Sequence, residues 1–336
     1  MEPYYYQTLS KAEQSSYQAM QAGLQAFAPS FPVPLLENRA LTDVFMKLRL
    51  DCPQLFYAGT FQYRYYPDSR NAELIPAYLF EKGKMKEHQK ALQARVEKLV
   101  RPVARCSDEE KLLYIHDFIC KNVRYDKLKK QYSHEIIGVL GHGVGVCEGI
   151  AKAVKILCDA LQIQCIIALA ENNPEKGVKY RHAWNVVRLD YHLDCTFDLS
   201  LGNPEEIRYD YFLLSDKQIF RDHERLVWRV PACEDADRFY YKKKKLSFTK
   251  TEEVQKRAAQ AVKKGKPLLF HWRGGYMTRE IVQEFLRIFK EEAAKKEKFA
   301  QVSLNWAQAI VKVRFIEQLP TQELTMEEAN EGEKEE

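Results

Sequence analysis

GVGVCEGIAKAVKILCDAL, residues 143–161, changes character at its fifth position. Glycines at 138, 141, 143 and 145 interrupt any helix and give the chain ahead of Cys147 backbone shapes that side chains forbid. After it the apolar residues are Ile150, Ala153, Val154, Leu157, Cys158 and Leu161, the i, i+3, i+4, i+7, i+8 series of a helix with one buried face. Lys152, Lys155, Asp159 and Gln162 take the other face. A shaped loop therefore delivers Cys147 to the first turn of a helix.

Outward from that junction, Ser107-Asp-Glu-Glu reads as an N-cap with an acidic first turn, opening a helix through Leu112, Ile115 and Ile119. Downstream, Gln164–Ala170 reads as an apolar strand and residues 171–181 as a polar loop. His182 to Leu189 and His192 to Phe197 follow as a tight antiparallel pair. The order is helix start with cysteine, strand with histidine, strand with aspartate.

Those residue types carry acyl chemistry. A thiol attacks a carbonyl carbon as thiolate, a form favoured at a helix N-terminus beside an imidazole. Cys147 is the expected nucleophile, His182 its base, and Asp194 the carboxylate that fixes the ring's tautomer. The Cys147 N–H is one candidate oxyanion donor, and Tyr132, Ser133, His134 and His142 are candidates for a second. Trp184, on the His182 face, either shields the site or belongs to the core. Cys158 and Cys165 lie on apolar faces and read as core, while Cys195 points away from a site that Asp194 enters.

Within GVGVCEGIAKAVKILCDAL, HAWNVV and HLDCTFD, the residues Cys147, His182 and Asp194 resemble the core of the transglutaminase-like superfamily. The resemblance runs from about Asp108 to His223 and includes YDYFLLSDKQIFRDH, similar to the segment that follows the core in bacterial members. It implies an α+β, papain-like arrangement in which a cysteine-bearing helix packs on an antiparallel sheet. It also implies a cysteine peptidase, amidase or acyltransferase acting on amide carbonyls of protein or peptide substrates. Hydrolysis is favoured over cross-linking, because water is always present in a solvated site. The alternative is a catalytically silent binding module that keeps the fold.

One departure from the family pattern concerns the turn, because Leu189-Asp190-Tyr191 leads straight to His192 where a longer, glycine-bearing connection is usual. His182 and Asp194 are 12 residues apart, an even number, so they face each other only across an odd-length connection or a bulge. A three-residue loop centred on Arg188 sets Asp194 opposite His182. Centred on Asp190 it sets Asp198 there instead, so Asp198 is the reserve orienting residue.

The whole chain bounds these readings. Its 336 residues exceed one small core and divide into an N-terminal helix and hairpin unit (1–104), the catalytic core (105–225), a small α+β unit (226–320) and an acidic tail (321–336) expected to be disordered. In the first, a helix through Met20 and Leu24 precedes strands over 60–66 and 73–80, joined at Pro67-Asp68-Ser69, and a helix over 85–101. In the third, the order is helix 251–264, strand 267–272, helix 278–296, strand 302–315. A net charge of +5 without an aromatic and basic RNA motif or a helix-turn-helix pattern makes nucleic acid an unlikely partner. Lys242 to Lys245 read as a solvated strand edge or linker. The polar start and the lack of a long apolar run predict a cytoplasmic protein with no membrane contact, and eight cysteines without a CxxC pair predict free thiols rather than a zinc site. No motif requires a cofactor or calcium.

Overall fold

The computed structural model describes residues 3–66 and 68–318; Pro67 of the expected turn and the acidic tail lie outside them. The chain is α+β, and its described residues divide into two compact units on either side of the Tyr240–Tyr241 bond.

The first unit begins with α1 (Tyr4–Gln7), α2 (Lys11–Gln25), β1 (Phe31–Pro34), α3 (Asn38–Asp51), β2 (Ala58–Tyr65), β3 (Asn71–Tyr78) and α4 (Lys82–Val100). The three strands form an antiparallel sheet in the order β1-β3-β2. Helix α2 starts on a capping box: Glu13 N donates to Ser10 Oγ (3.4 Å) and Ser10 N to the Glu13 carboxylate (2.8 Å). Helix α3 does not figure in the sequence expectations, although Leu41, Val44, Phe45 and Leu48, all buried, have helical spacing.

A boundary at residue 104 is absent, for a physical reason. Asp51, buried at the end of α3, accepts from Tyr5 N (3.1 Å), Tyr6 N (3.0 Å) and Tyr17 Oη (3.2 Å), and the Tyr5 hydroxyl donates onward to Ile167 O (2.7 Å). One apolar cluster runs from Leu9 to Leu213. Fully burying a Val, Leu or Ile side chain is worth about 1.5–3 kcal/mol, so the N-terminal residues draw their stability from the same core as the middle of the chain.

The middle of this unit contains α5 (Asp108–Asn122), β4 (Arg124–Tyr125), β5 (Val144–Gly145), α6 (Cys147–Ala160), β6 (Cys165–Leu169), β7 (Ala183–Val187), β8 (Tyr191–Leu193), α7 (Cys195–Leu201), β9 (Phe212–Leu214) and α8 (Asp216–Ile219). The expected capping box at Ser107 and Glu110 opens α5. Strands β6-β7-β8-β9 form an antiparallel sheet, and α6 packs on it. Asn185 of β7 donates to Ala151 O of that helix (2.9 Å). The expected apolar stripe of α6 is buried. Lys152, expected on its polar face, is buried as well, because carboxylates meet it there. The glycine-rich loop is not free of helix: Ile137–Gly141 forms one π-helical turn.

Residues 226–240 belong with this first unit. Val227 N donates to Leu169 O (2.8 Å), and the Tyr240 ring stacks on Tyr209 at 3.9 Å. The second unit thus begins at 241 rather than at 226.

Helix α9 (Tyr240–Lys243) spans the division, so the lysine run starts in a helical turn rather than on a strand edge. The second unit continues as β10 (Ser247–Phe248), α10 (Thr251–Lys264), β11 (Leu268–Trp272), α11 (Arg279–Ala294), β12 (Phe299–Asn305) and β13 (Ile310–Ile316), with sheet order β10-β11-β13-β12. The strand expected over 302–315 is a hairpin. Its turn carries no glycine or proline; Ala309 takes the left-handed conformation (φ 53°) and donates to Trp306 O (3.2 Å).

Candidate active site

Three elements of the first unit converge on Cys147. The β4–β5 ladder pairs Tyr125 with Gly145, and Val146 N donates to Ser133 O (3.0 Å), which pins the chain just before α6. Gly149 makes this docking possible: a Cβ there would lie 2.2 Å from Ser133 O. Cys147 is the first residue of α6, part-exposed, with Sγ 4.0 Å from Arg181 O.

His182 stands just ahead of β7. Its Nε2 lies 2.6 Å from Asp194 Oδ2, and the ring stands close enough to Cys147 for the thiol to act on its charge. Burial alone would push the ring's pKa down; the charge of Asp194 and its hydrogen bond outweigh it and, with Cys147, push the pKa up to about 10. His182 is therefore charged at neutral pH.

Asp194 does not sit in a strand. Strand β8 ends at Leu193, and Asp194 is the N-cap of α7, its Oδ1 accepting from Thr196 N (2.8 Å) and Phe197 N (3.2 Å). The expected strand over 192–197 therefore stops early, because one carboxylate oxygen satisfies two amides that a ladder would have used. The other oxygen, Oδ2, meets both His182 and His223 Nε2 (2.9 Å). Burial opposes ionisation of Asp194, but the two imidazoles hold it well below the usual carboxylate range.

The hairpin turn holds three residues, as parity requires, but its centre is Leu189: Val187 pairs with Tyr191, Val186 with His192 and Asn185 with Leu193. Neither expected centre, Arg188 or Asp190, is used. Arg188 and Leu189 both take positive φ (56° and 59°), which lets a turn without glycine close. Asp194 reaches His182 because the chain bends into α7 beyond the strand. Asp198 lies elsewhere, bonded to His116 Nε2 (3.0 Å) and accepting from Asp210 N (2.7 Å) and Tyr211 N (3.2 Å). Burial pushes its pKa up to about 6, against the pull of His116.

A charged cluster backs the helix start. Lys152 Nζ lies 2.8 Å from both Glu135 and Glu148, Arg49 pairs with Glu135, and His134 Nδ1 lies 3.3 Å from Glu148. Burial favours the neutral acid at Glu148, yet Lys152, His134 and Arg49 keep it charged.

Of the expected oxyanion donors, Ser133 is committed to Asp126 (Oγ to Oδ2, 2.5 Å), His134 faces Glu148, and Tyr132 packs against His142 at 5.1 Å between ring centres. Tyr125, absent from the expectations, stands beside Gly145. Burial first, then the proximity of Cys147, raises its hydroxyl's pKa. His223 was also missed as a site residue; no spacing singles it out, since it reaches Asp194 from beyond α8. Trp184 is buried and stacks on His182, 5.8 Å between centres at 18°.

Among the described residues two groups bring three possible metal ligands together: His182, Asp194 and His223, and His192, Asp216 and Cys233. Hydrogen bonds account for the first. In the second, Trp184 Nε1 donates to His192 Nδ1 (2.9 Å), which leaves the proton on Nε2, 2.7 Å from Asp216. A protonated nitrogen cannot ligate a metal, and the pKa of His192 is lowered, chiefly by burial, as a neutral ring requires.

A thiol at the start of α6, an imidazole just ahead of β7 and a carboxylate at the N-cap of α7 thus come together in one place. Residues 96–194 match the family model of the transglutaminase-like superfamily, so this segment, which contains all three groups, is a transglutaminase-like core. A solved structure described as the crystal structure of a TGase is similar at 10% identity and a TM-score of 0.29, covering 41% of this chain and 44% of that one. The chain thus spans less than half of that neighbour. No curated protein sequence matches. No helix among the described residues is long and apolar enough to cross a membrane.

Proposed function

We propose that the protein is a thiol acyl hydrolase or acyltransferase acting on amide or peptide carbonyls, with hydrolysis the favoured outcome. One observation carries the reading: Cys147 opens a helix beside a His182 ring that a buried carboxylate holds at 2.6 Å. Members of the superfamily are generally enzymes, although inactive members exist; the intact His182–Asp194 contact favours activity over the silent binding module.

The groups divide the work as follows. Cys147 Sγ, as thiolate, attacks the carbonyl carbon, and the oxygen takes up the negative charge against the first-turn N–H groups of α6. As the C–N bond breaks, His182 gives its proton to the departing amine. The neutral ring then removes a proton from water, which attacks the thioester, expels the thiolate and leaves a carboxylic acid. A primary amine in place of water gives a new amide. Asp194 stabilises the charged ring and fixes its direction.

The test is incubation with a glutamine-containing peptide library, with and without cadaverine, read by mass spectrometry. The expected result is deamidated or cleaved peptide, with no product from Cys147→Ala. Products that persist in Cys147→Ala would overturn the reading. Cadaverine adducts outnumbering hydrolysis products would replace hydrolysis by amine transfer.

A further inference from the structure

Two surface segments flank the Cys147 site, and both are basic. The first, residues 124–130, holds Arg124, Lys127, Lys129 and Lys130, all exposed. The second, residues 176–181, holds Lys176, Lys179 and Arg181, also exposed, and ends on His182. Of these seven cations only Lys176 has a carboxylate partner within ion-pair distance among the described residues, Glu224 at 3.0 Å. The one acid in the first segment, Asp126, is turned inward: it accepts from Ser133 Oγ, Leu128 N (3.1 Å) and Lys130 N (3.0 Å).

These bonds give the first segment a fixed shape. Asp126 N also donates to Gly145 O (3.0 Å), so the segment leaves the β4–β5 ladder two residues from Cys147. The segments meet where Lys129 Nζ sits 3.2 Å from the centre of the Tyr180 ring. The Arg181 carbonyl stands 4.0 Å from Cys147 Sγ, so the second segment borders the thiol directly. Between the lysines, Leu128 is 80% exposed and Tyr180 67% exposed. Large apolar groups alternating with unpaired cations beside a reactive thiol form a surface for an extended chain carrying negative charge and some apolar side chains.

We infer that the acyl donor is an acidic peptide segment, seated along residues 124–130 and 176–181 with its scissile carbonyl over Cys147. The inference rests on the thiol reading of Cys147 and names its substrate class. A peptide is favoured over RNA because the exposed groups between the cations are Leu128, Tyr125 at 40% exposure and Tyr180 already engaged by Lys129, which leaves one partly covered ring and no row of free aromatic faces on which bases stack.

The test uses the full chain carrying Cys147→Ala, so that binding is read without turnover. Fluorescence anisotropy is followed with three labelled twelve-residue peptides, of alternating Glu and Gln, Ser and Gln, and Lys and Gln, and with a twelve-nucleotide RNA. The acidic peptide is expected to bind, and to weaken steeply as salt rises. Two charge reversals on separate segments, Lys127→Glu with Lys130→Glu, and Lys179→Glu with Arg181→Glu, are each expected to weaken it about tenfold or more. The pair Lys86→Glu with Lys90→Glu, outside both segments, should leave it unchanged. Thermal unfolding of each variant controls for folding. Equal binding of the acidic and neutral peptides, indifference to both rim reversals, or tighter binding of the RNA would overturn the inference. Acidic peptide binding at the rim without any acyl product from the wild-type chain would remove the thiol reading and leave the docking surface. Turnover equal on acidic and neutral peptides would do the reverse.

Discussion

Replacing Asp194 by asparagine acts where the site's parts are most tightly joined. Oδ1 caps α7 through Thr196 and Phe197, a task asparagine performs about as well, so the helix start survives. Oδ2 faces His182 and His223, and an amide NH2 there opposes ring N–H groups that the carboxylate attracts. Raising His182 from 6.5 to about 10 reflects on the order of 5 kcal/mol in favour of the charged ring. Without the carboxylate, burial favours the neutral ring, and Cys147 loses a neighbouring positive charge at pH 7. For unit charges roughly 4 Å apart that attraction lies between about 1 kcal/mol in water and about 4 kcal/mol near a protein surface. Alkylation of Cys147 by iodoacetamide at pH 7 is therefore expected to slow about fivefold to a thousandfold, and acyl turnover by about 10⁴, the cost of the same exchange in a serine triad. The assay is site-mapped mass spectrometry of the intact protein, with rates taken from pH 5 to 9. Asp198→Asn is the comparison: it touches His116, so alkylation should stay near the wild-type rate while stability falls by about 3–5 kcal/mol. An unchanged rate in Asp194→Asn, or the larger drop in Asp198→Asn, refutes the reasoning.

The pH dependence of stability has a worked sign. Because His182 is raised to about 10, its contribution is whole below pH 6.5 and is lost as pH climbs towards 10; because Asp194 is lowered, its contribution is present above about pH 4 and is lost on acidification. The urea midpoint of wild type minus that of Asp194→Asn should accordingly narrow at both ends of the range, and a difference flat from pH 3 to 10 would contradict it. Gly149→Ala, which in an ordinary helix stabilises by about 1 kcal/mol, should instead destabilise by about 1–3 kcal/mol or more, since the new Cβ meets Ser133 O at 2.2 Å; a raised melting temperature would argue against the docking of α6 described above. His223→Phe removes one donor to Asp194 and leaves His182 in place, so it should cost about 1–3 kcal/mol in a denaturant titration while Cys147 alkylation stays fast.

Much of the site could be read from residue order. Cys147 at the end of a glycine-rich loop and the apolar stripe behind it fixed α6 to within a residue, because helical periodicity and glycine punctuation are local signals. The helix over 251–264 was legible for the same reason. The contact of Asp194 with His182 arises by a route that strand alternation does not suggest: alternation points to a cross-strand partner, whereas the contact comes from a helix cap whose geometry depends on where β8 ends. The buried face of Lys152 was illegible because a helical wheel shows polarity and not the carboxylates that arrive from Glu135 and Glu148. The hairpin at 306–309 lacks the turn residues that announce one, and the position of His223 depends on tertiary packing alone.

The most direct measurement is the covalent intermediate. With p-nitrophenyl acetate as acyl donor, release of p-nitrophenolate is followed while acetylated residues are mapped by peptide mass. The account predicts a burst of about one equivalent, with the acetyl group on Cys147 and removable by hydroxylamine, and no burst from Cys147→Ala. A burst of the same size in Cys147→Ala, or acetyl groups spread over lysines with Cys147 unmodified, would contradict it.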